Sequence, residues 1–73
     1  MPTHYTAIVQ QREKSWIGWI EEIPGVNSQG DSRDELLENL RSALQEALQM
    51  NRADAVAAVE GQAYEEVKLI IAA

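Results

Sequence analysis

Hydrophobic and polar residues alternate along the first third of the chain and then change period. From Tyr5 to Gln10, Tyr5, Ala7 and Val9 fall on one face and Thr6 and Ile8 on the other, which predicts a strand. Gln11 to Lys14 is polar and charged, a hairpin connection without the Asn-Gly pair that favours tight turns. Ser15 to Glu22 is a second strand, with Trp16, Gly18 and Ile20 on one face and Ile17 and Trp19 on the other. Both of its faces are apolar. Pro24-Gly25 is a turn signal, since proline fixes φ at one corner position and glycine tolerates the left-handed one. Val26 to Gln29 is a short, mostly polar third strand suited to a sheet edge, and Gly30-Asp31 ends it.

At Ser32 the period becomes helical. Ser32-Arg33-Asp34-Glu35 is a capping box, in which the serine hydroxyl accepts from the Glu35 amide while the Glu35 carboxylate reaches back. Asp34 and Glu35 also suit the positive end of the helix dipole. At ~100° per residue, Leu36, Leu37, Leu40, Ala43, Leu44, Ala47 and Leu48 occupy an arc of roughly 140°. Burying all five leucines would contribute on the order of 8–15 kcal/mol, against about 1 for the cap, so packing on the sheet holds the helix. Ala53 to Glu60 either extends this helix or forms a short second one, with Gly61 as the stop. Glu65 to Ala72 is a last strand, with Val67, Leu69 and Ile71 on one face.

The resulting order, β-β-β-α-β, makes an α+β domain. A crossover helix after three antiparallel strands sets the fourth strand parallel to the first, giving a mixed four-stranded sheet of order 3-2-1-4 with one long helix on one face. One helix covers one face only, yet three strands carry apolar residues on both. The second face therefore needs either the Ala53–Val59 segment or another chain, and a homo-oligomer, dimer or tetramer, is the favoured reading.

Length points the same way. Seventy-three residues form a single domain, residues 1–73, with a limited core. There is no cysteine for a disulfide or thiolate metal site, and His4 is the one histidine, which argues against zinc sites and Ser-His-Asp machinery. Twelve acidic against six basic residues give a net charge of −6, unsuited to holding DNA or RNA and better suited to a basic protein partner. No apolar run approaches the ~20 residues needed to span a bilayer, and the N-terminus lacks the pattern of a signal peptide, so no membrane association is expected and the cytoplasm is the expected location.

Candidate chemistry is sparse. Glu21, Glu22, Asp31, Asp34, Glu35 and Glu38 invite a metal reading, but Asp31, Asp34 and Glu35 are explained by the turn and the cap, and Glu38 by pairing with Arg41. Neither metal nor cofactor is expected. The element order is also the first half of the ribonuclease H fold, whose paired carboxylates hold two metals. That chemistry needs an acid in the middle of the first strand and another near the end of the fourth. Tyr5 to Val9 and Val67 to Ala73 contain none, so the chain is not expected to be an enzyme. Gly30-Asp31-Ser32 is a weak likeness of a phosphate-binding helix start, with three acids nearby. Trp16 and Trp19 lack the basic groove that base stacking requires; one fits a core and the other an interface. With Glu21 and Glu22 they are the candidate partner-interface residues.

The run from Ile17 through the helix resembles the HicB-like family, the antitoxin half of HicA–HicB toxin–antitoxin pairs. The residues that carry the likeness are Trp19-Ile20-Glu21-Glu22, then Ile23-Pro24-Gly25-Val26, then Gln29-Gly30-Asp31-Ser32, then Asp34 to Leu40 with Ala43 and Leu44. Tyr5 to Val9 and Glu66 to Leu69 fit the family's first and last strands. The resemblance implies a partial ribonuclease-H-like domain without catalysis that occludes a small mRNA-cleaving HicA-type toxin. Pro24, Gly25, Gly30, Asp31, Ser32 and Glu35 carry over as fold markers. Many relatives add a C-terminal DNA-binding domain; here no separate one is expected, and no direct nucleic-acid binding. The alternative is an orphan homo-oligomeric structural or regulatory adaptor with no toxin partner.

Overall fold

A computed structural model describes residues 4–69 of the chain. Three strands, β1 (Ala7–Arg12), β2 (Ser15–Ile20) and β3 (Asn27–Gly30), precede one long helix, α1 (Arg33–Ala57). The strands form an antiparallel sheet in the order β1-β2-β3, with Ile8 opposite Trp19, Gln10 opposite Ile17, and Trp19 opposite Asn27. The molecule is therefore α+β, with the expected α1 against one face of the sheet.

The β1–β2 connection is tighter than the sequence implied. Arg12 pairs with Ser15, leaving Glu13 and Lys14 as a two-residue turn. Glu13 occupies the left-handed region at φ 55°, where Gly, Asn or Asp is preferred. Pairing extends β1 two residues beyond Gln10, and no local signal in Gln11-Arg12 announces it. Between β2 and β3, Pro24-Gly25 forms the expected corner. The Val26 amide donates to the Ile23 carbonyl at 3.4 Å, and Gly25 sits at φ 90°, as the third residue of a type II turn requires.

Ser32 caps α1: its extended backbone leads in, and its hydroxyl accepts from the Glu35 amide at 3.1 Å, while the return bond expected from the Glu35 carboxylate to the Ser32 amide is not formed. Ile20, Val26, Leu36 and Leu40 form the buried core, with Tyr5, Ala7, Val9, Trp16, Ile23, Ala43, Leu44 and Ala47 packed around it. Two glycines let α1 approach this closely. A Cβ on Gly18 would lie 2.7 Å from the Ile8 carbonyl oxygen and 3.1–3.2 Å from Leu40 and Leu36. One on Gly30 would lie 2.7 Å from the Leu36 amide nitrogen. Asn39 adds a polar tie, donating to the Gln29 carbonyl of β3 at 2.8 Å.

Only Leu36 and Leu40 of the five leucines are fully buried; Leu37, Leu44 and Leu48 remain half-buried. The helix contribution from complete burial is thus about 3–6 kcal/mol, not the sum for five. The sheet is too short to cover more. Its six-residue strands span ~20 Å, whereas the 25-residue helix spans ~37 Å. Ala53 to Ala57 extend α1 and do not fold over the other sheet face. Beyond Ala58, Glu60 (φ 51°) and Gly61 (φ 77°) reverse the chain, and Glu66 then lies beside Arg52, joined by an exposed ion pair at 3.0 Å.

The strand expected over Glu65–Ala72 is not seen in its described part. Residues 62–69 have no regular structure, and Val67 and Leu69 are exposed; 70–73 lie outside the described residues. Parallel pairing with β1 gains nothing from a local turn, so it depends wholly on contacts with distant segments. The outer edge of β1 has no partner strand among the described residues.

Candidate functional site

Alternation along β2 sends its two tryptophans to opposite sides. Trp16, with Gly18 and Ile20, faces α1, is half-buried and packs against the core. Trp19 faces away from α1 and is 40% exposed. The four interface candidates therefore do not form one patch. Trp16 belongs with the core; Trp19 shares the outer face with Ile8 and Ile17.

The two carboxylates divide in the same way. The Glu21 amide donates to the Thr6 carbonyl at 2.9 Å, which carries the β1–β2 register one step further and keeps Glu21 on the face of Trp19. The Thr6 amide does not complete the ladder with the Glu21 carbonyl. It donates to Oε1 of Glu22 at 2.8 Å instead. That hydrogen bond to the ionised form holds the Glu22 carboxyl below its ordinary range, although the side chain is fully solvent-exposed. Glu22 thus terminates the hairpin ladder, a role set by a residue sixteen positions away.

Pro24 and Gly25 shape the turn, Gly30 admits the helix backbone, and Ser32 caps it with the Glu35 amide. A shallow polar depression of about 360 Å³ is lined by Asp31, Glu35, Asn39, Ser15, Ser28 and Gln29. Asn39 and the Gln29 carbonyl are bonded to each other, and the Glu35 amide is taken by the Ser32 cap. Among the described residues, no three His, Cys, Asp or Glu side chains converge as metal ligands would. No described helix is long and apolar enough to cross a membrane.

Two features of the surface were missed by sequence reasoning. The first is the cross-strand pair of Ile8 and Trp19, exposed at 38% and 40% on the outer face. A two-residue hairpin closed by Arg12 and Ser15 would have given this pairing directly. The second is a groove of about 370 Å³ between α1 and the outer edge of β1, lined by Tyr5, Ala7, Ile20, Leu37, Leu40 and Leu44, with His4 and Arg41 at its mouth. It lies where the helix has apolar side chains and no fourth strand among the described residues covers them.

No protein-family model, curated protein or solved structure matches the chain.

Proposed function

We propose that this chain is a non-catalytic, antitoxin-like binding protein that occludes a small, basic, mRNA-cleaving toxin of the HicA type. The carrying observation is the resemblance of the run from Ile17 to Leu44 to HicB-like proteins. In this chain that run folds as one unit: β2, the Pro24-Gly25 turn, β3 and the Ser32-capped start of α1. Electrostatics support the reading. Asp34, Glu35, Glu38 and Glu46 are exposed on α1 of a chain with net charge −6, a field that attracts a cationic RNA-binding surface and speeds encounter with it.

The same reading includes a ribonuclease-H-like sheet of order 3-2-1-4, with the segment from Glu65 onward as the strand beside β1. Reach supports it. Glu66 lies level with Arg52 on the helix, and Val67 to Leu69 at ~3.3 Å each would span about 10 Å from there towards the groove beside β1. Leu69, about 10 Å past Glu66, would then approach Leu44, about 12 Å back along α1 from Arg52, removing two exposed or half-exposed apolar side chains from water at once.

Co-expression with a small basic HicA-type toxin, sought first in the adjacent reading frames, tests the function. The expected outcome is rescue of growth and a stoichiometric complex on purification; a toxin that remains active and does not co-purify overturns the proposal. The second reading, a homo-oligomeric adaptor without a toxin, is favoured by one observation: the outer sheet face is apolar at its centre and carries almost no charge.

A further inference from the structure

We infer that the outer face of the sheet is a self-association surface, on which a second copy of this chain packs face to face about a two-fold axis. The inference stands apart from the toxin reading, since it concerns the face that carries least of the acidic charge.

Four rows of residues cross this face, following the register of the sheet. Ile8, Trp19 and Asn27 form one central row, and Gln10, Ile17 and Gln29 the other. Arg12 and Ser15 bound the face at the hairpin end; Thr6 and Glu21 bound it at the other. Three apolar side chains thus sit at the centre, uncharged amides flank them, and Arg12 and Glu21 lie ~20 Å apart at opposite ends. Their charges cancel. A neutral face on a chain of net charge −6 is a poor landing site for a basic partner, which the carboxylates elsewhere would attract. It is a good one for another copy, because two acidic chains can meet there with their acidic helices on the outside.

The ends supply the specificity. An axis lying between the two sheets and running across the strands reverses strand direction from one copy to the other. It places Arg12 of each copy over Thr6 of the other, one strand (~4.8 Å) aside from that copy's Glu21, which its long side chain can meet, twice per dimer. It also lays Trp19 over Ile17, Asn27 over Gln29 and Ile8 over Gln10, so that the pair at the centre is apolar, the β3 pair sets amide on amide and the β1 pair is mixed. Aligned packing of this kind is an ordinary arrangement of two sheets, and an isologous contact closes after two copies. Two strands of six residues and one of four offer a footprint of at most roughly 14 by 20 Å. This is well below the ~800 Å² per partner of a standard interface, so the dimer should dissociate reversibly on dilution.

Sedimentation velocity on the full chain across a concentration series tests this, with charge reversal as the probe. Arg12 and Glu21 are both exposed at the surface, so their variants keep the fold. Arg12→Glu and Glu21→Arg should each weaken self-association about tenfold, because each turns two attractions into two repulsions. The double variant should return to within about twofold of the original. Within one copy the two side chains are too far apart to compensate, so only contact between copies can produce the rescue. Trp19→Ser should leave a monomer at every concentration. A wild-type monomer throughout the series overturns the inference, as do a dimer indifferent to both reversals and a pair of reversals that add without rescue. The toxin reading fails separately, by absence of co-purification, whatever is found here.

Discussion

The two faces of one small sheet contain similar residues and have opposite fates. On the inner face the chain gives up side chains to gain packing: Gly18 and Gly30 carry none, and α1 settles close enough to bury Leu36 at 0% and Leu40 at 2% exposure. On the outer face the chain keeps its large side chains, and Ile8 and Trp19 stay open to solvent. Trp16 and Trp19, three residues apart, are separated by this division. Strand alternation sorts side chains by face, but whether a face becomes core depends on what else the chain can bring to it. A single helix satisfies one.

The sharpest way to break the contrast is to damage the inner face. Leu36→Ala should cost about 3 kcal/mol, because the emptied volume lies under α1 where little can collapse into it; urea denaturation would show the midpoint shift. Gly18→Ala comes next, at about 2 kcal/mol by the same assay, since its new methyl meets a backbone carbonyl that cannot move without breaking the β1–β2 ladder. Ser32→Ala should cost about 1 kcal/mol by orphaning the Glu35 amide where α1 starts, and far-ultraviolet circular dichroism should show a slightly less helical chain. On the outer face, Trp19→Ser removes more atoms than Leu36→Ala yet should shift the midpoint by less than about 1 kcal/mol at low protein concentration. If it costs as much as Leu36→Ala, the two faces are not distinct in the way described.

The smallest effect is set by pH. The hydrogen bond from Thr6 stabilises ionised Glu22, so its stabilisation is present in neutral solution and is lost as acid protonates the folded carboxyl. Denaturation midpoints compared at neutral and acidic pH should converge for Glu22→Gln and wild type at the acidic end and differ slightly at the neutral end.

Much of this was legible because the signals are local. Pro24-Gly25 needs only its own dihedral preferences, the Ser32 cap only the amide of Glu35, and the helical arc only its period; these appear in the structure where the sequence put them, whereas the return bond expected from the Glu35 carboxylate does not. The separation of Trp16 from Trp19 also follows from counting by two. What was not legible depends on distant partners. Glu22 reads as one more surface acid until Thr6 is seen to donate to it. Glu13 in a left-handed turn has no signal of its own and is imposed by the pairing of Arg12 with Ser15. The extent of leucine burial could not be read from the helix, because it depends on the width of the sheet beneath. The strand expected from Glu65 onward is the extreme case: residues 65–69 show no regular structure, and the expected pairing would depend on the first strand of the chain.

The mismatch in length between α1 and the strands bears on how the molecule opens. Amide hydrogens near Leu36 and Leu40 are released only when the helix leaves the sheet, an event close to global unfolding. Past Ala47, where α1 runs beyond the core and Met50 is 66% exposed, helical turns can unwind singly from the free end at small cost. Deuterium uptake along this one helix should therefore fall in steps from its C-terminus towards Ser32, with the last amides to exchange marking the edge of the sheet beneath.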